Sequence, residues 1–411
     1  MARTILHSDL NSFYASVECL YNPEIRDKPV AVAGDPEARH GIVLTKNQIA
    51  KQYGIITGEA IWQAKQKCPS LVVVKPDYPK YLKFARMARE IYADYTEQIE
   101  PFGLDEAWLD VTGSRKGDGP AIADEIRGRL AAELGITASV GVADNKIFAK
   151  LGSDMKKPNA TTVITKANYR DRVWPLPAGD LLYVGRATQH KLYDRGIFTI
   201  GDIATCEREQ LRAQLGKWGE TLWTFANGLD GSPVACMGDE ALIKSIGNST
   251  TTPRDLVCEK DVHMTVCVLA ESVAARLREH GFKCRTVQIH IRDNKLVSFE
   301  RQAKVKRPTQ LASDIIPLAM ELFRDNYRWE RPIRSVGVRG SDLTDASGNR
   351  QLSFLDDDVR EDRRIRLESA VDKLRERFGH FSIQRAVMMD DRQLTGLNPK
   401  DDHVIHPVSY F

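Results

Sequence analysis

The sequence predicts an α+β protein of several domains, and three observations predict it. Over the first 165 residues, apolar runs with strand-like alternation and runs with helical spacing succeed one another, as they do where helices cover a sheet. From about residue 166 the texture changes to short helical runs punctuated by glycine, and from 245 strands and amphipathic helices return. At 411 residues the chain is long enough for roughly two to four domains.

Residues 3–9, RTILHSD, alternate like a strand and close on an acid, and SFYASVECL (12–20) changes to helical spacing. KPVAVAG (28–34) and GIVLTK (41–46) read as strands with turn residues between them. Helices are expected over 47–68 and 80–99, the second amphipathic. A strand over GLDEAWLD (103–110), a helix over 119–134 and a buried strand over TASVGVA (137–143) follow. LLYVGRATQHKLYDRGIFTIGDIATC (181–206) and LGKWGETLWTFANGLDG (215–231) read as glycine turns and helices, and place a small all-helical domain at 166–232. Residues 233–244 read as a connector. Strands at 286–293, 296–305 and 333–340, with helices near 262–280 and 309–326, mark a separate α+β domain over 245–340. The tail, 341–411, holds the apolar motif QLSFLDDD (351–358), a charged helix near 360–378 and a polar end.

With 42% hydrophobic and 28% charged residues, the composition is that of an ordinary soluble globular protein. No apolar run approaches the roughly 18–20 residues of a membrane span, and MARTILHSDL is too short in apolar residues for a signal peptide. Seven cysteines lie far apart with no C-x-x-C pair, which argues for reduced, packing thiols in a cytoplasm and leaves no zinc site legible. The net charge of +3 hides an asymmetry, because residues 241–340 carry 18 Lys+Arg against 11 Asp+Glu, a net of +7. Residues 341–411 carry 11 against 14, a net of −3. A basic segment within a near-neutral chain suggests a polyanion partner for that segment.

GLDEAWLD sets two neighbouring carboxylates, Asp105 and Glu106, in an apolar run. Burying both is costly, since each disfavours ionisation of the other. Two solvated acids at a strand edge would be the plainer reading. A second acid-tipped strand, TILHSDL with Asp9, shifts the balance. Acids at adjoining strand ends make a hard-cation site, in which magnesium takes oxygen ligands and substrate phosphates. Two such ions about 3.5–4 Å apart clamp the attacking and leaving oxygens of a phosphoryl displacement.

Three long motifs in register, HSDLNSFYASVE (7–18), IEPFGLDEAWLD (99–110) and SVGVADNKIFAKLGSDMKKPN (139–159), resemble those of the Y-family DNA polymerases, bacterial DinB-type enzymes above all. The resemblance runs from residue 3 to about 340. It implies a right hand: palm and fingers over 1–165, with the fingers at about 20–77, a helical thumb over 166–232, and a little finger over 245–340. It implies a template-directed, low-fidelity translesion polymerase that adds a deoxynucleotide to a primer 3′-OH without proofreading, in damage tolerance and repair. Asp9, Asp105 and Glu106 would be catalytic and would hold two Mg²⁺ ions, with Leu10 lending a backbone carbonyl. Ser12, Phe13, Thr45, Gln48, Lys51 and Lys157 would meet the triphosphate. Gln48 and Lys51 stand where the family usually has Tyr and Arg, and lysine is not a bidentate substitute for arginine. Tyr14 would be the steric gate against ribonucleotides.

YVGRATQHKL resembles a helix-hairpin-helix turn, with Gly185 and Gly196 as the pivots against DNA phosphate. The little finger would lie along the duplex through Lys304, Lys306, Arg307, Arg331, Arg334 and Arg339. Gln351, Leu352, Phe354 and Leu355 resemble the pentapeptide by which bacterial polymerases hold the sliding clamp, with the last two positions reversed. The expected partners are primer-template DNA, dNTPs and that clamp, for a monomeric enzyme with no membrane contact. A UmuC-like subunit needing an activating partner and a non-catalytic DNA- and clamp-binding relative are the alternatives. A palm-type nucleotide cyclase would carry a G-G-[DE]-E-F turn, which is absent.

Overall fold

The structure, a computed structural model, describes residues 3–35, 41–239, 242–347 and 358–400. The chain divides into two compact units, one chiefly Met1–Gly34 and Ile42–Glu240, the other chiefly Ala241–His406. Residues 351–355, the expected clamp motif, lie outside the described residues.

The first unit is organised on a five-stranded sheet of order β5-β6-β1-β7-β8. Strand β1 (Ile5–Leu10) is central and wholly buried. It leads into helix α1 (Phe13–Tyr21). Successive β1 side chains enter opposite cores, as the period of two requires. Leu6 and Leu10 join the core that includes Ala85, Ala88, Ile122 and Ile126, and Ile5 joins the one around Ile147 and Phe148.

The next segment carries a small sheet of order β3-β2-β4, from β2 (Val30–Ala33), β3 (Val43–Lys46) and β4 (Val72–Val74). The helix expected over 47–68 is two short helices, α2 (Gln48–Gln52) and α3 (Ile61–Lys67). Gly54 (φ 73°) and Gly58 (φ 88°) turn the chain between them in a conformation that L side chains resist. Glu59 secures the turn by accepting the Ile56 amide at 2.9 Å.

Helix α4 (Tyr78–Ala93) ends short of the expected 99, because β5 (Ile99–Phe102) needs the chain for its hairpin with β6 (Glu106–Asp110). Helix α5 (Gly119–Leu134) fills its expected span, capped by Asp118 and closed by Gly135 at φ 70°. Then come β7 (Ala138–Ala143), α6 (Lys146–Met155) and β8 (Thr161–Val163). Helix α6 packs hard on β7, and a Cβ at Gly141 would lie 1.8 Å from the Ala149 carbonyl oxygen. The rest of the unit is helical: α7 (Tyr169–Arg172), α8 (Arg186–Tyr193), α9 (Ile200–Thr205), α10 (Arg208–Leu215) and α11 (Lys217–Ala226).

The second unit has a four-stranded antiparallel sheet of order β11-β10-β12-β9. Its strands are β9 (Ser245–Leu256), β10 (Phe282–Asp293), β11 (Ser298–Thr309) and β12 (Ile333–Asp345), longer than the sequence patterns suggested. Helices α12 (Glu259–Glu279) and α13 (Ala312–Asn326) bury their apolar sides against inward residues such as Val287, Ile289, Val336 and Val338. The charged helix is α14 (Asp358–Phe378). Ion pairs hold it: Arg278 reaches Glu368 at 2.8 Å and Asp372 at 2.6 Å, and Arg375 reaches Glu271 at 2.7 Å. The expected polar end instead folds back through α15 (Arg392–Thr395), burying Met388 and Leu394 in the same core as α12.

Gly141→Ala should cost about 3 kcal/mol or more, because the intruding methyl meets backbone atoms that cannot swing aside. Gly128→Ala, inside α5 with nothing within 4 Å of the added carbon, should gain about 0.5–1 kcal/mol. Chemical denaturation of the two variants checks both signs.

Candidate active site

The register of β1 against β6 sets Asp9 directly opposite Glu106. The hairpin turn before β6 carries Asp105, and Gly103 makes that turn at φ 79°. The Leu10 amide donates to the Asp105 carbonyl at 2.9 Å, closing the turn onto β1. Three carboxylates are thereby gathered at one end of the sheet. Asp9 is only 6% exposed.

Burial, with Glu106 close by, pushes the Asp9 carboxyl well above its ordinary range. Asp105 is pushed up to about 6 by the same two causes in the same order. Glu106 goes the other way: burial opposes its ionisation, but His7 and the Lys150 ammonium outweigh it. The two lysines supply the nearest counter-charge. Lys157 Nζ donates to Asp9 Oδ2 at 2.7 Å, and Lys150 Nζ to Glu106 Oε2 at 2.6 Å. His7 is fully buried and neutral at ordinary pH, since burial lowers its pKa. Its Nε2 lies 3.3 Å from Glu106 Oε2 without a well-formed hydrogen bond, and its Nδ1 lies 2.8 Å from Ser153 Oγ.

The donor set suits a hard divalent cation: oxygen ligands only, one buried and two partly so, with three carboxylates against two lysines. Among the described residues no three acidic, histidine or thiol groups are already drawn into ligand positions. The lysine ammoniums stand where a cation's charge would act, and side-chain rotation would release the carboxylates.

The helix that follows starts under strain. Ser12 adopts φ 48°, ψ 43°, a left-handed conformation uncommon for a non-glycine residue, and its side chain makes no cap. The first amides of α1, around Phe13, are therefore left open at the carboxylate end. Gln48 Nε2 lies 3.4 Å from Ser12 Oγ, so α2 comes to the same place. Thr45 pairs with Val32 within the small sheet, and Lys51 is exposed one turn into α2. Tyr14 is half-buried, and its hydroxyl pKa is raised first by burial and then by Asp105, whose charge it faces. Its ring stacks on Tyr81 with centroids 4.3 Å apart and planes at 10°, a pair worth ~1 kcal/mol beyond the area it buries.

Several supporting residues carry no role in the sequence reading. Lys150 and His7 stand within the quoted motifs and Tyr81 outside them, and their contacts with the site appear only in the fold. Asn11 is a buried linchpin. Its Oδ1 accepts the Asn159 amide at 2.8 Å and its Nδ2 donates to Ser139 at 3.0 Å. That bond pins the loop that carries Lys157.

The other expected contacts fall in separate places. Gly185 is the N-cap of α8, with no side-chain cap and open space at its Cα, and Gly196 makes the turn after α8 at φ 75°. In the second unit Lys304, Lys306 and Arg339 project from the sheet face that α12 and α13 leave uncovered, in step with Gln302 and Gln288. Arg307 instead approaches Glu361 of α14 at 3.9 Å. Arg331 pairs with Asp293 at 3.1 Å, and Arg334 is half-buried, its carbonyl accepting from Thr252 at 3.1 Å.

Sequence models match in three stretches. Residues 8–154 match the impB/mucB/samB family, 243–354 its C-terminal domain, and 179–230 the thumb domain of DNA polymerase-iota. These matches define a DNA polymerase. The chain is 54% identical over 396 residues to DNA polymerase IV of Acetivibrio thermocellus, covering 96% of this chain and 99% of the relative. It is 35% identical over 397 residues to DNA polymerase IV 2 of Bacillus subtilis, covering 94% and 95%. A solved Y-family DNA polymerase chimera superimposes with a TM-score of 0.72 at 25% identity, over 83% of this chain and 99% of the chimera. The chain belongs to the Y-family DNA polymerases, with the palm, fingers, thumb and little finger of that family, and is a translesion enzyme of the DNA polymerase IV type. Its substrates are primer-template DNA and dNTPs, and the family's chemistry uses divalent metal ions. Among the described residues no helix is long and apolar enough to cross a membrane.

Asp105 titrates near 6 in the fold against 3.8 for an unperturbed aspartate. A carboxylate raised in this way costs nothing below the lower value, and its penalty grows between the two and is complete above the higher. At about 1.4 kcal/mol per unit, the full penalty is on the order of 2–3 kcal/mol. Asp105→Asn should therefore stabilise the metal-free protein by that amount at pH 7.5 and by little at pH 4. Urea unfolding at the two pH values, without divalent ions, measures the difference.

Proposed function

We propose that this polymerase works by two-metal nucleotidyl transfer at Asp9, Asp105 and Glu106, with the Leu10 carbonyl as an added ligand. The observation that carries the reading is the strand register that opposes Asp9 to Glu106 beside Asp105, all three short of water. Magnesium is the ion that best suits an all-oxygen site working on phosphates, and two bound ions would stabilise the attacking and leaving oxygens of the displacement.

The chain's own groups have the remaining tasks. Lys157 holds Asp9 before substrate arrives. An incoming triphosphate, with more negative charge than one carboxylate, would draw that ammonium onto itself and leave Asp9 free. The uncapped amides at Ser12 and Phe13 would receive phosphate oxygens, as helix N-termini do. Thr45, Gln48 and Lys51 would complete the triphosphate contacts. Lys51 would give charge without the two-pronged geometry of arginine. Tyr14 would lie under the sugar and exclude a 2′-OH.

Palm and fingers would span 1–165, the thumb 166–232, a linker 233–244, the little finger 245–340 and a tail 341–411. Gly185 and Gly196 would let thumb amides reach duplex phosphates. Lys304, Lys306 and Arg339 are the little-finger candidates that share an open face. Contacts of this kind ignore base sequence, which suits an enzyme that must copy any template. The enzyme would act as a cytoplasmic monomer of low fidelity, without proofreading. Gln351, Leu352, Phe354 and Leu355 would tether it to the sliding clamp and raise its concentration at primer ends.

Asp105→Ala should abolish metal-dependent primer extension while primer-template affinity, read by fluorescence anisotropy, stays within about twofold, since phosphate contacts carry affinity. Extension at near wild-type rate would overturn the site. Gln351→Ala with Phe354→Ala and Leu355→Ala should remove stimulation by the cognate clamp and leave clamp-free extension unchanged. Full stimulation of the triple variant, with no binding of a 348–358 peptide, would make the motif structural.

A further inference from the structure

The aromatic residue proposed as the sugar gate does not stand alone. Tyr14 and Glu18 lie one turn apart on α1, so they share a helix face. That face meets α4, where Tyr78 and Tyr81 also lie about one turn apart. Tyr81 is wholly buried and lies flat against Tyr14, at 4.3 Å and 10°. Tyr78 meets the edge of Tyr14 at 6.1 Å and 87°. The Tyr81 hydroxyl donates to Glu18 Oε1 at 2.8 Å. Glu18 is 2% exposed, and Lys80 Nζ approaches its other oxygen at 3.7 Å.

A carboxylate buried this deeply is expensive unless it is hydrogen-bonded and paired. Glu18 has both partners from one turn of α4, Tyr81 and Lys80. The carboxylate therefore fixes the Tyr81 hydroxyl, and a fixed hydroxyl fixes the ring plane. The plane lies parallel to Tyr14 and blocks it from moving back. This matters for discrimination by clash. A gate excludes a 2′-OH only as strongly as it resists displacement, and a ring free to leave its rotamer would let a ribose in at small cost.

We infer that Tyr81 and Glu18 are positioning residues for sugar selection: Glu18 anchors Tyr81, and Tyr81 backs Tyr14 so that it cannot yield to a ribonucleotide. The inference rests on Tyr14 being the gate, and assigns the two residues behind it. Neither touches the substrate. Their loss should raise ribonucleotide use while leaving deoxynucleotide use nearly intact, which general loosening of the core would not do.

The experiment compares kcat/KM for each ribonucleotide with that for its deoxy counterpart, on one primer-template, in the full chain. Tyr14→Ala should lower discrimination by orders of magnitude. Tyr81→Leu should lower it about tenfold, a change of about 1.4 kcal/mol in relative barrier. Glu18→Ala should move it in the same direction by less. Glu18→Gln, which keeps an acceptor for the hydroxyl, should restore it. Tyr81→Leu added to Tyr14→Ala should change nothing further, since no gate remains to be backed. If Tyr81→Leu loses its cooperative melt, Tyr81→Phe and Glu18→Ala carry the same comparison. Wild-type discrimination in Tyr81→Leu or Tyr81→Phe and in Glu18→Ala, alongside its loss in Tyr14→Ala, would overturn the inference and leave the gate standing. Unchanged discrimination in Tyr14→Ala would remove the gate and this inference with it.

Discussion

Like charges confined where water is scarce repel strongly, and Asp9, Asp105 and Glu106 are so confined. Much of the first unit serves to keep them there. The central position of β1 buries Asp9, and the antiparallel register with β6 brings Glu106 opposite it. The turn that bears Asp105 is tied by its own carbonyl to the Leu10 amide. The two lysines come from α6 and from the loop just after it. The same helix lies so close to β7 that only glycine fits at 141.

The site is thus stiff in its backbone and labile in its counter-charges. Asp9 and Glu106 are fixed by the strand register, whereas the two lysines reach them on long side chains with several rotatable bonds. Asn11 limits that freedom to the side chain, by holding the loop beneath Lys157. An enzyme that admits a different base pair each cycle gains from this division. What must stay constant is set by hydrogen-bonded backbone, and what must change is carried on flexible stems.

Much of the fold was legible in the sequence where local chemistry spoke clearly. Asp118, Pro120 and Gly135 mark both ends of α5, and the acid pair after Gly103 marks the hairpin. The stretch 47–68 has helical apolar spacing, but Gly54 and Gly58, both at positive φ, break it into two short helices. Strands β4 and β8, three residues each, are too short for any periodicity. The folded tail carries little periodic signal, because the side chains it sends to the core, among them Met388, Leu394 and the partly buried Val387 and Leu397, come from short turns. Long-range arginine pairs do the rest of the holding. The site divides the same way. Asp9, Asp105, Glu106, Tyr14 and Lys157 stand in contiguous motifs; His7 and Lys150 stand in the same motifs, but their approach to Glu106 shows only in the fold, and Tyr81 lies outside them.

The ion pairs that hold α14 and the tail have an electrical consequence. Arg278, Arg254 and Lys260 face Glu368, Asp372, Asp391 and Asp390 across the helix side of the second unit. Tail cations in turn meet Glu271, Asp314 and Glu279. Charge on that side is paired, while among the described residues Lys304, Lys306 and Arg339 on the open sheet face make no ion pair and share the face with one acid of the same sheet, Glu300. The unit is therefore a dipole as well as a cation. A polyanion at a distance would exert a torque on it as well as a pull, and would turn the open sheet face toward itself before any contact is made. For the duplex contacts proposed for this face, orientation would begin in the approach, and a rise in ionic strength would blur the aim as well as weaken the grip.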